Sequence, residues 1–223
     1  MPQLKITYDE LRREVGRFLG YSRTPTDWDS NEAQDVADIV RGGLRGLYFP
    51  SEASHRWSFL CTTVDLNIAS GTRTYPLPLD FISFESSITY SEGDNSGRLT
   101  EVDSDELRAV SSNELISGTP QYFAMSARTQ AADGYQLTLY PTPDKAATLR
   151  YSYQYSPEEL SEDNQFHRGS AAHSELLLAS CLMVADRMLN KESLDPQGGL
   201  YAARYISLLK SSIAIDGGIV SEA

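Results

Sequence analysis

Three histidines are the side chains in this sequence that could most readily bind a metal or carry a proton, and they stand at His55, His167 and His173. Zinc on a helix is held by two histidines four residues apart, which share one face. His167 and His173 are six residues apart and would point to different faces. We therefore expect no metal site.

Pairs of acidic residues could act as a general acid and base in catalysis. Such pairs occur at Asp27 with Asp29, Glu101 with Asp103, and Glu158 with Glu159. A chain with 31 acidic residues contains such pairs by chance. The patterns of a nucleophile elbow, a phosphate loop and a dinucleotide turn are absent from the sequence. The sequence predicts no enzyme and no cofactor, and an enzyme with an unrecognised site is kept as an alternative.

The charge of the chain bears on its partners. It carries 19 lysines and arginines against 31 aspartates and glutamates, a formal net charge of -12. Since cations that neutralise phosphates supply most nonspecific affinity for nucleic acid, we expect no specific DNA binding. No apolar run approaches the roughly 20 residues that cross a bilayer, so no membrane contact is expected. Cys61 and Cys181 are expected to be small buried residues, not a disulfide.

The N-terminal region predicts two helices. Thr7 and Glu10 have the spacing of a capping box, apolar residues follow at helical spacing, and Gly20 marks an end. A second helix is predicted to begin with Ser30 as its N-cap and to end before Pro50.

Two glycines, Gly42 and Gly43, lie inside this second predicted helix. Each weakens a helix by about 1 kcal/mol relative to alanine. We expect them to allow the close approach of another backbone.

The middle of the chain, residues 57–157, predicts a β domain. Short segments rich in β-branched and aromatic residues alternate there with Gly, Pro, Asn and Ser clusters. One short helix is predicted over residues 104–112, with Ser104 as its cap.

The stretch YQLTLYPTPDKAATLRYSYQY, residues 135–155, contains two runs in which apolar and polar residues alternate. This is the pattern of half-buried strands, and the prolines between them end the first. The pattern favours an antiparallel hairpin whose tyrosines pair across the strands. A tyrosine platform for a ligand is the alternative, and Tyr151 and Tyr153 are candidates for contacts between subunits.

Helical spacing returns after Pro157. Residues 174–190 carry an apolar stripe broad enough for burial on two sides. A last helix is predicted to begin at Asp195 and Pro196.

Residues 211–223 predict an extended tail. Ile213 and Ile215 alternate with small or polar residues, and a glycine pair precedes Ile219 and Val220. Such a tail would dock on the sheet edge or groove of a neighbour, which makes these four residues candidate interface residues. A frayed terminus is the alternative.

Together these segments predict an α+β fold. Residues 1–56 and 158–210 would form a discontinuous four-helix bundle, because no single helix can bury its apolar face alone. Residues 57–157 would form an inserted antiparallel β-sheet or sandwich domain.

Three segments in the middle of the chain follow one another in an order that is typical of one protein family. They are RTYPLPLDFISF, GTPQYFAM and the stretch YQLTLYPTPDKAATLRYSYQY. This order resembles that of the head-to-tail adaptor proteins of tailed bacteriophages, also called connector or tail tubular A proteins. The similarity covers residues 70–157, and the flanking helices match in arrangement only.

The resemblance implies a structural virion protein made in the host cytoplasm and located at the portal vertex. It would form a homo-oligomeric ring, usually of twelve copies, through which DNA passes without specific binding. The helical domain would face the portal and the β domain the tail nozzle or tail tube protein, with tail fibres as possible further partners. An acidic lumen would repel phosphates and let DNA slide.

A different class of protein remains open at this point. The β domain would then be a binding module that attaches tail fibres or recognises carbohydrate.

Overall fold

The computed structural model describes residues 4–91, 97–113, 116–128, 134–189 and 199–220. The described residues form a mixed α+β structure. The helices are α1 (Tyr8–Leu19), α2 (Ser30–Tyr48), α3 (Ser104–Asn113), α4 (Ser174–Leu189) and α5 (Leu200–Val220). The strands are β1 (Cys61–Ile68), β2 (Thr74–Pro76), β3 (Phe81–Phe84), β4 (Thr89–Tyr90), β5 (Thr100–Glu101), β6 (Ser117–Gly118), β7 (Tyr122–Ala127), β8 (Tyr135–Tyr140), β9 (Thr142–Pro143) and β10 (Ala147–Tyr155).

The chain divides into two compact units. The helical unit comprises Met1–Phe59 and Glu158–Ala223, and the β unit comprises Leu60–Pro157. Cys61 and Cys181 are both free thiols, as predicted. Cys181 is buried, as expected, whereas Cys61 is only half-buried.

In the helical unit, α1 has the ends that its sequence predicts. The Thr7 hydroxyl accepts a hydrogen bond from the Glu10 amide at 3.1 Å, and the Glu10 carboxylate accepts one from the Thr7 amide at 2.9 Å. Gly20 closes the helix with a φ of 84°, a left-handed conformation that favours glycine. The predicted capping box is therefore confirmed.

The cap of α2 lies one residue earlier than predicted. Asp29, not Ser30, accepts hydrogen bonds from the amides of Asn31 and Glu32, at 2.8 and 2.9 Å. The Glu32 carboxylate in turn accepts a hydrogen bond from the Asp29 amide at 3.0 Å, which completes a capping box. The sequence offered two adjacent capping residues, and only Asp29 has a glutamate three positions later. The same shift occurs at α3, where Asp103 accepts from the Asp105 amide and Ser104 is already helical.

Helix α2 meets α4 at the glycines. A β-carbon placed on Gly43 would lie 3.0 Å from the Cα of Cys181 and closer still to its sulfur. One on Gly42 would lie 3.1 Å from Val184. The expected close approach of another backbone is therefore confirmed, and that backbone belongs to α4.

Helix α4 is buried on more than one side. It contacts α1, α2 and α5. Its buried residues are Ser174, Leu176, Leu177, Ala179, Ser180, Cys181, Met183 and Ala185. They surround most of the helix, which confirms the prediction from its broad apolar stripe.

Helix α5 contradicts the predicted extended tail. Residues 211–220 continue the helix, and its buried positions recur at spacings of three and four: Ala202, Tyr205, Leu209, Ser212 and Asp216. This spacing places one stripe of the helix against α4. The alternation of Ile213 and Ile215 suggested a strand because Ser212 and Asp216, which continue the buried stripe, are polar. The predicted helix start at Asp195 and Pro196 lies outside the described residues.

The described strands of the β unit form two four-stranded sheets around one core, with β6 and β9 as a separate pair. One sheet has the order β1-β10-β3, with β4 also paired to β10, and the other has the order β2-β8-β7-β5. Leu137 and Leu139 enter the core from β8, and Leu149 and Tyr151 enter it from β10.

The predicted hairpin of the two tyrosine-rich runs is therefore wrong. Strand β8 pairs with β2 and β7, whereas β10 pairs with β1, β3 and β4. The two strands belong to different sheets that share one core. Alternation fixes which face of a strand is buried but not which strand lies beside it.

Candidate interaction surfaces

Tyr151 and Tyr153 are core residues and not surface residues. Their exposed fractions are 2% and 4%. The Tyr153 ring stacks on Phe81 at 5.5 Å, and the Tyr151 ring meets the edge of Phe84 at 5.3 Å. Their burial contradicts their assignment to a subunit interface and agrees with the favoured prediction that they stabilise the sheet.

The phenol of Tyr153 has a polar partner that is half-buried. Its hydroxyl donates a hydrogen bond to the Asp80 carboxylate at 3.1 Å. Burial, together with this hydrogen bond and the charge of Asp80, raises the pKa of Tyr153 to about 12. Tyr153 therefore remains neutral throughout the physiological pH range, and its hydroxyl stays hydrogen-bonded to Asp80 at the edge of the β core.

The predicted tail residues lie on α5. Ile213 is half-buried, whereas Ile215 is 48% exposed. Ile219 and Val220 lie in the last turn of the helix, and their side chains are outside the described part of the structure. Of the predicted interface residues on α5, Ile215 therefore has an exposed side chain that a partner could contact.

The buried side of α5 is fixed by a site that the sequence did not reveal. The Asp216 carboxylate is 3% exposed and accepts hydrogen bonds from the Ser58 amide at 3.0 Å and the Ser58 hydroxyl at 2.5 Å. His55 lies at 2.9 Å from the same carboxylate. Burial alone would raise the pKa of Asp216, but the hydrogen bonds from Ser58 and His55 hold it below its usual value. One signal could have exposed the site: an aspartate that continues an otherwise buried helical stripe.

The order of these three residues argues against a catalytic triad. In a triad the histidine lies between the nucleophile and the acid. Here Asp216 lies between Ser58 and His55, so the imidazole cannot take the serine proton directly. The Ser58 hydroxyl donates to the carboxylate, which makes the cluster a structural anchor.

The other two histidines are buried. The Nδ1 of His167 lies 2.6 Å from the Arg168 carbonyl, and its Nε2 lies 3.1 Å from the Ser174 hydroxyl. Burial is the main cause that lowers the pKa of His167 to about 4. Burial also lowers the pKa of His173, whose Nδ1 accepts from the Ser170 amide. Across the described ranges, no group of three or more histidine, cysteine or acidic side chains could hold a metal ion.

The β unit presents an apolar groove beside α3. Its volume is about 230 Å³. The lining residues are Val102, Glu106, Leu107, Val110, Tyr122 and Tyr140. Val110 and Tyr122 are both exposed by more than two fifths of their surface. Exposed large apolar side chains side by side are typical of contact surfaces.

Comparison with known proteins identifies the family. The model of the SU10 adaptor protein family matches residues 6–219, which include both the helical unit and the β unit. No curated protein matches the chain. No helix within the described residues has the length and hydropathy needed to cross a membrane. The chain belongs to the SU10 adaptor protein family of phage head-to-tail adaptors, structural virion proteins that associate with portal and tail components.

Proposed function

We propose that this protein forms a ring, usually of twelve copies, between the portal and the tail of a phage, with a central channel for DNA. The observation that carries the proposal is the family match over residues 6–219. A match of that extent covers the helical unit and the β unit alike, so it concerns the whole adaptor and not one shared module. The protein is made in the host cytoplasm and joins the virion at the portal vertex.

The two units divide the contacts between them. The helical unit, arranged as a four-helix bundle, faces the portal, and the β unit faces the tail nozzle or tail tube protein. The apolar groove at Val110 and Tyr122 supports this assignment, since it offers the β unit a surface for a protein partner.

The charge of the chain supports a channel through which DNA slides. The net charge is -12. Each phosphate that a protein neutralises adds salt-dependent affinity, so an acidic lumen keeps the DNA from adhering. DNA therefore passes without specific binding.

Helix α5 supplies a contact to a neighbouring copy or to the portal. The Asp216 anchor holds its buried stripe, and Ile215 is exposed on another side. An apolar residue on a fixed helix loses little entropy when it docks.

Electron microscopy of purified portal rings mixed with the protein tests the proposal. An added annulus of the expected symmetry on the portal is the expected result. Portal rings that remain bare over a range of concentrations would contradict the proposal.

A pair of variants tests the role of α5 in the same assay. Ile215→Asp should reduce the fraction of decorated portals, because it brings a charge into an apolar contact. Ala203→Asp is the control, since Ala203 is exposed on the same helix at a different angle. If both variants decorate portals equally, Ile215 does not contribute to the interface, but the proposal of a ring still stands.

The alternative of a carbohydrate- or fibre-binding β module is tested separately. A glycan array and a pull-down with purified tail fibres should give no specific binding if the β unit serves the ring alone. Specific capture of a glycan would favour the alternative.

A further inference from the structure

A polar cavity lies on the outer face of the sheet β2-β8-β7, beside α3. Its volume is about 240 Å³. The lining residues are Arg73, Thr74, Ser104, Leu107, Arg108, Ser111, Ala124, Ser126 and Thr138. The set contains two arginines, five hydroxyl side chains and no carboxylate.

The sheet register builds the floor of this cavity. Thr74 on β2 lies opposite Thr138 on β8, which in turn lies opposite Ala124 on β7. These three short side chains form a row on one face, because neighbouring residues such as Tyr75 and Leu137 point to the core on the other. Helix α3 packs against β7 and supplies the wall. The short side chains leave a space that a sheet of longer residues would fill.

Arg73 brings an uncompensated charge to this cavity. Its Nε is buried and has no hydrogen-bond partner within the described residues. No ion pair joins its guanidinium to a carboxylate of the described chain. Arg108, by contrast, pairs with Asp105 at 3.0 Å. A buried donor left unsatisfied costs about 1–3 kcal/mol, so native structures seldom keep one without a ligand or water.

The hydroxyl groups of the lining differ in whether they can donate to a ligand. Ser104 and Ser111 already donate to the carbonyls of Met125 and Arg108. The Ser126 hydroxyl accepts a hydrogen bond from the side-chain amide of Gln136 at 3.2 Å, so its own hydrogen remains available. The hydroxyls of Thr74 and Thr138 form no hydrogen bond with another described residue, so they can donate as well. Arg73 and three hydroxyls thus offer donors to one small space that contains no competing anion.

We propose that this cavity binds the carboxylate of an acidic side chain from a partner polypeptide of the virion. The planar fork of a guanidinium fits a carboxylate through two parallel hydrogen bonds. The one uncompensated positive charge matches a singly charged carboxylate better than a doubly charged phosphate. The volume holds one such side chain and not a strand of nucleic acid.

Nuclear magnetic resonance on the full-length protein tests the chemistry. The probe is sodium acetate, with sodium chloride and inorganic phosphate at matched ionic strength, and the readout is the Nε–H resonance of Arg73. The signal is assigned by its loss in Arg73→Lys. A saturable shift with acetate, several-fold stronger than with phosphate, is expected. A shift that chloride reproduces, tighter binding of phosphate, or no saturable shift at all would overturn the proposal.

Two variants and a control test whether acetate binding depends on the guanidinium fork of Arg73 and on the Thr138 hydroxyl, and not on positive charge alone. Because Arg73→Lys has lost the Nε probe, acetate binding to the variants is followed through the backbone amides of Thr74 and Thr138. Lysine keeps the charge but lacks the fork, so acetate affinity should fall at least tenfold. Thr138→Val should weaken binding several-fold, whereas Arg98→Gln, which changes an exposed arginine outside the cavity, should leave it within about twofold. Equal affinity in wild type and Arg73→Lys would contradict a forked site.

Co-sedimentation with purified portal and, separately, with purified tail tube protein tests the source of the carboxylate. Arg73→Lys should weaken binding to one of the two at least fivefold while Arg98→Gln does not. If Arg73→Lys binds both partners as wild type does, the proposal of a carboxylate from a virion partner is overturned. Wild-type binding in the same assay keeps that outcome distinct from a failure of the adaptor function itself.

Discussion

Asp216, near the end of the last helix, accepts hydrogen bonds from both the backbone amide and the hydroxyl of Ser58, at 3.0 and 2.5 Å. The two residues are 158 positions apart in the sequence. The carboxylate therefore ties the C-terminal helix to the segment where the N-terminal part of the helical unit ends.

Asp216→Ala should destabilise the helical unit. The variant leaves the Ser58 amide, the Ser58 hydroxyl and His55 without their acceptor in a buried place. Unsatisfied buried donors cost about 1–3 kcal/mol, and each kcal/mol lowers the Tm of a chain of this size by roughly 2–4 °C. Thermal unfolding followed by circular dichroism measures the change. Ile215→Ala is the matched control, since Ile215 is its exposed neighbour, and an equal Tm for both variants would show that the anchor contributes nothing.

The contact of α2 with α4 gives a second prediction. Gly43→Ala should destabilise the fold by about 1–3 kcal/mol, because the added methyl group would meet Cys181 at less than contact distance. Gly217→Ala serves as the control: a β-carbon there meets nothing within 4 Å, and alanine should stabilise a helix by about 0.5–1 kcal/mol. Urea unfolding of both variants checks the opposite signs. A neutral Gly43→Ala would mean that α2 and α4 can separate without loss.

These two sites differ in how far the sequence reveals them. A glycine pair inside an amphipathic helix has few explanations, so the positions of Gly42 and Gly43 alone indicate a close helix contact. Asp216 gives a weaker signal, because an aspartate that continues a buried helical stripe is more often solvated than buried. Its partner Ser58 lies in a different part of the chain, and spacing within one helix cannot identify such a partner.

Strand pairing in the β unit is a second feature that the sequence alone does not reveal. Alternation in residues 135–155 correctly predicted the core positions of β8 and β10, with two exceptions: Tyr135 is 40% exposed, and Gln154, on the face predicted to be polar, is buried. Alternation could not identify the strands that pair with β8 and β10. Two strands show the same alternation whether they lie side by side in one sheet or face each other across a core. The Arg73 cavity was missed for a related reason, since its lining comes from β2, α3, β7 and β8, which only the fold brings together.

Tyr153 offers a prediction within the β core. Tyr153→Phe removes only the hydrogen bond to Asp80 and should cost about 0.5–1.5 kcal/mol. Tyr153→Ala also removes a ring that stacks on Phe81 and should cost about 3–5 kcal/mol. Chemical denaturation monitored by tyrosine and tryptophan fluorescence gives both values. A Tyr153→Ala variant as stable as the wild type would restore the interpretation of this tyrosine as a surface residue.

The stability of the helical unit should fall in mild acid because of His167. Burial lowers its folded-state pKa to about 4, from a value of 6.5 in the absence of burial. Below pH 6.5 the unfolded chain takes up a proton that the folded chain refuses, so stability is lost as the pH falls from 6.5 to about 4 and levels off below that. The difference corresponds to about 3 kcal/mol.

His167→Gln cannot titrate and should flatten the pH dependence of the free energy of unfolding over this window. A residual slope is expected from His173, whose pKa is lowered in the same direction. Wild type and His167→Gln with the same dependence on pH would show that the imidazole of His167 is free to take a proton in the folded protein.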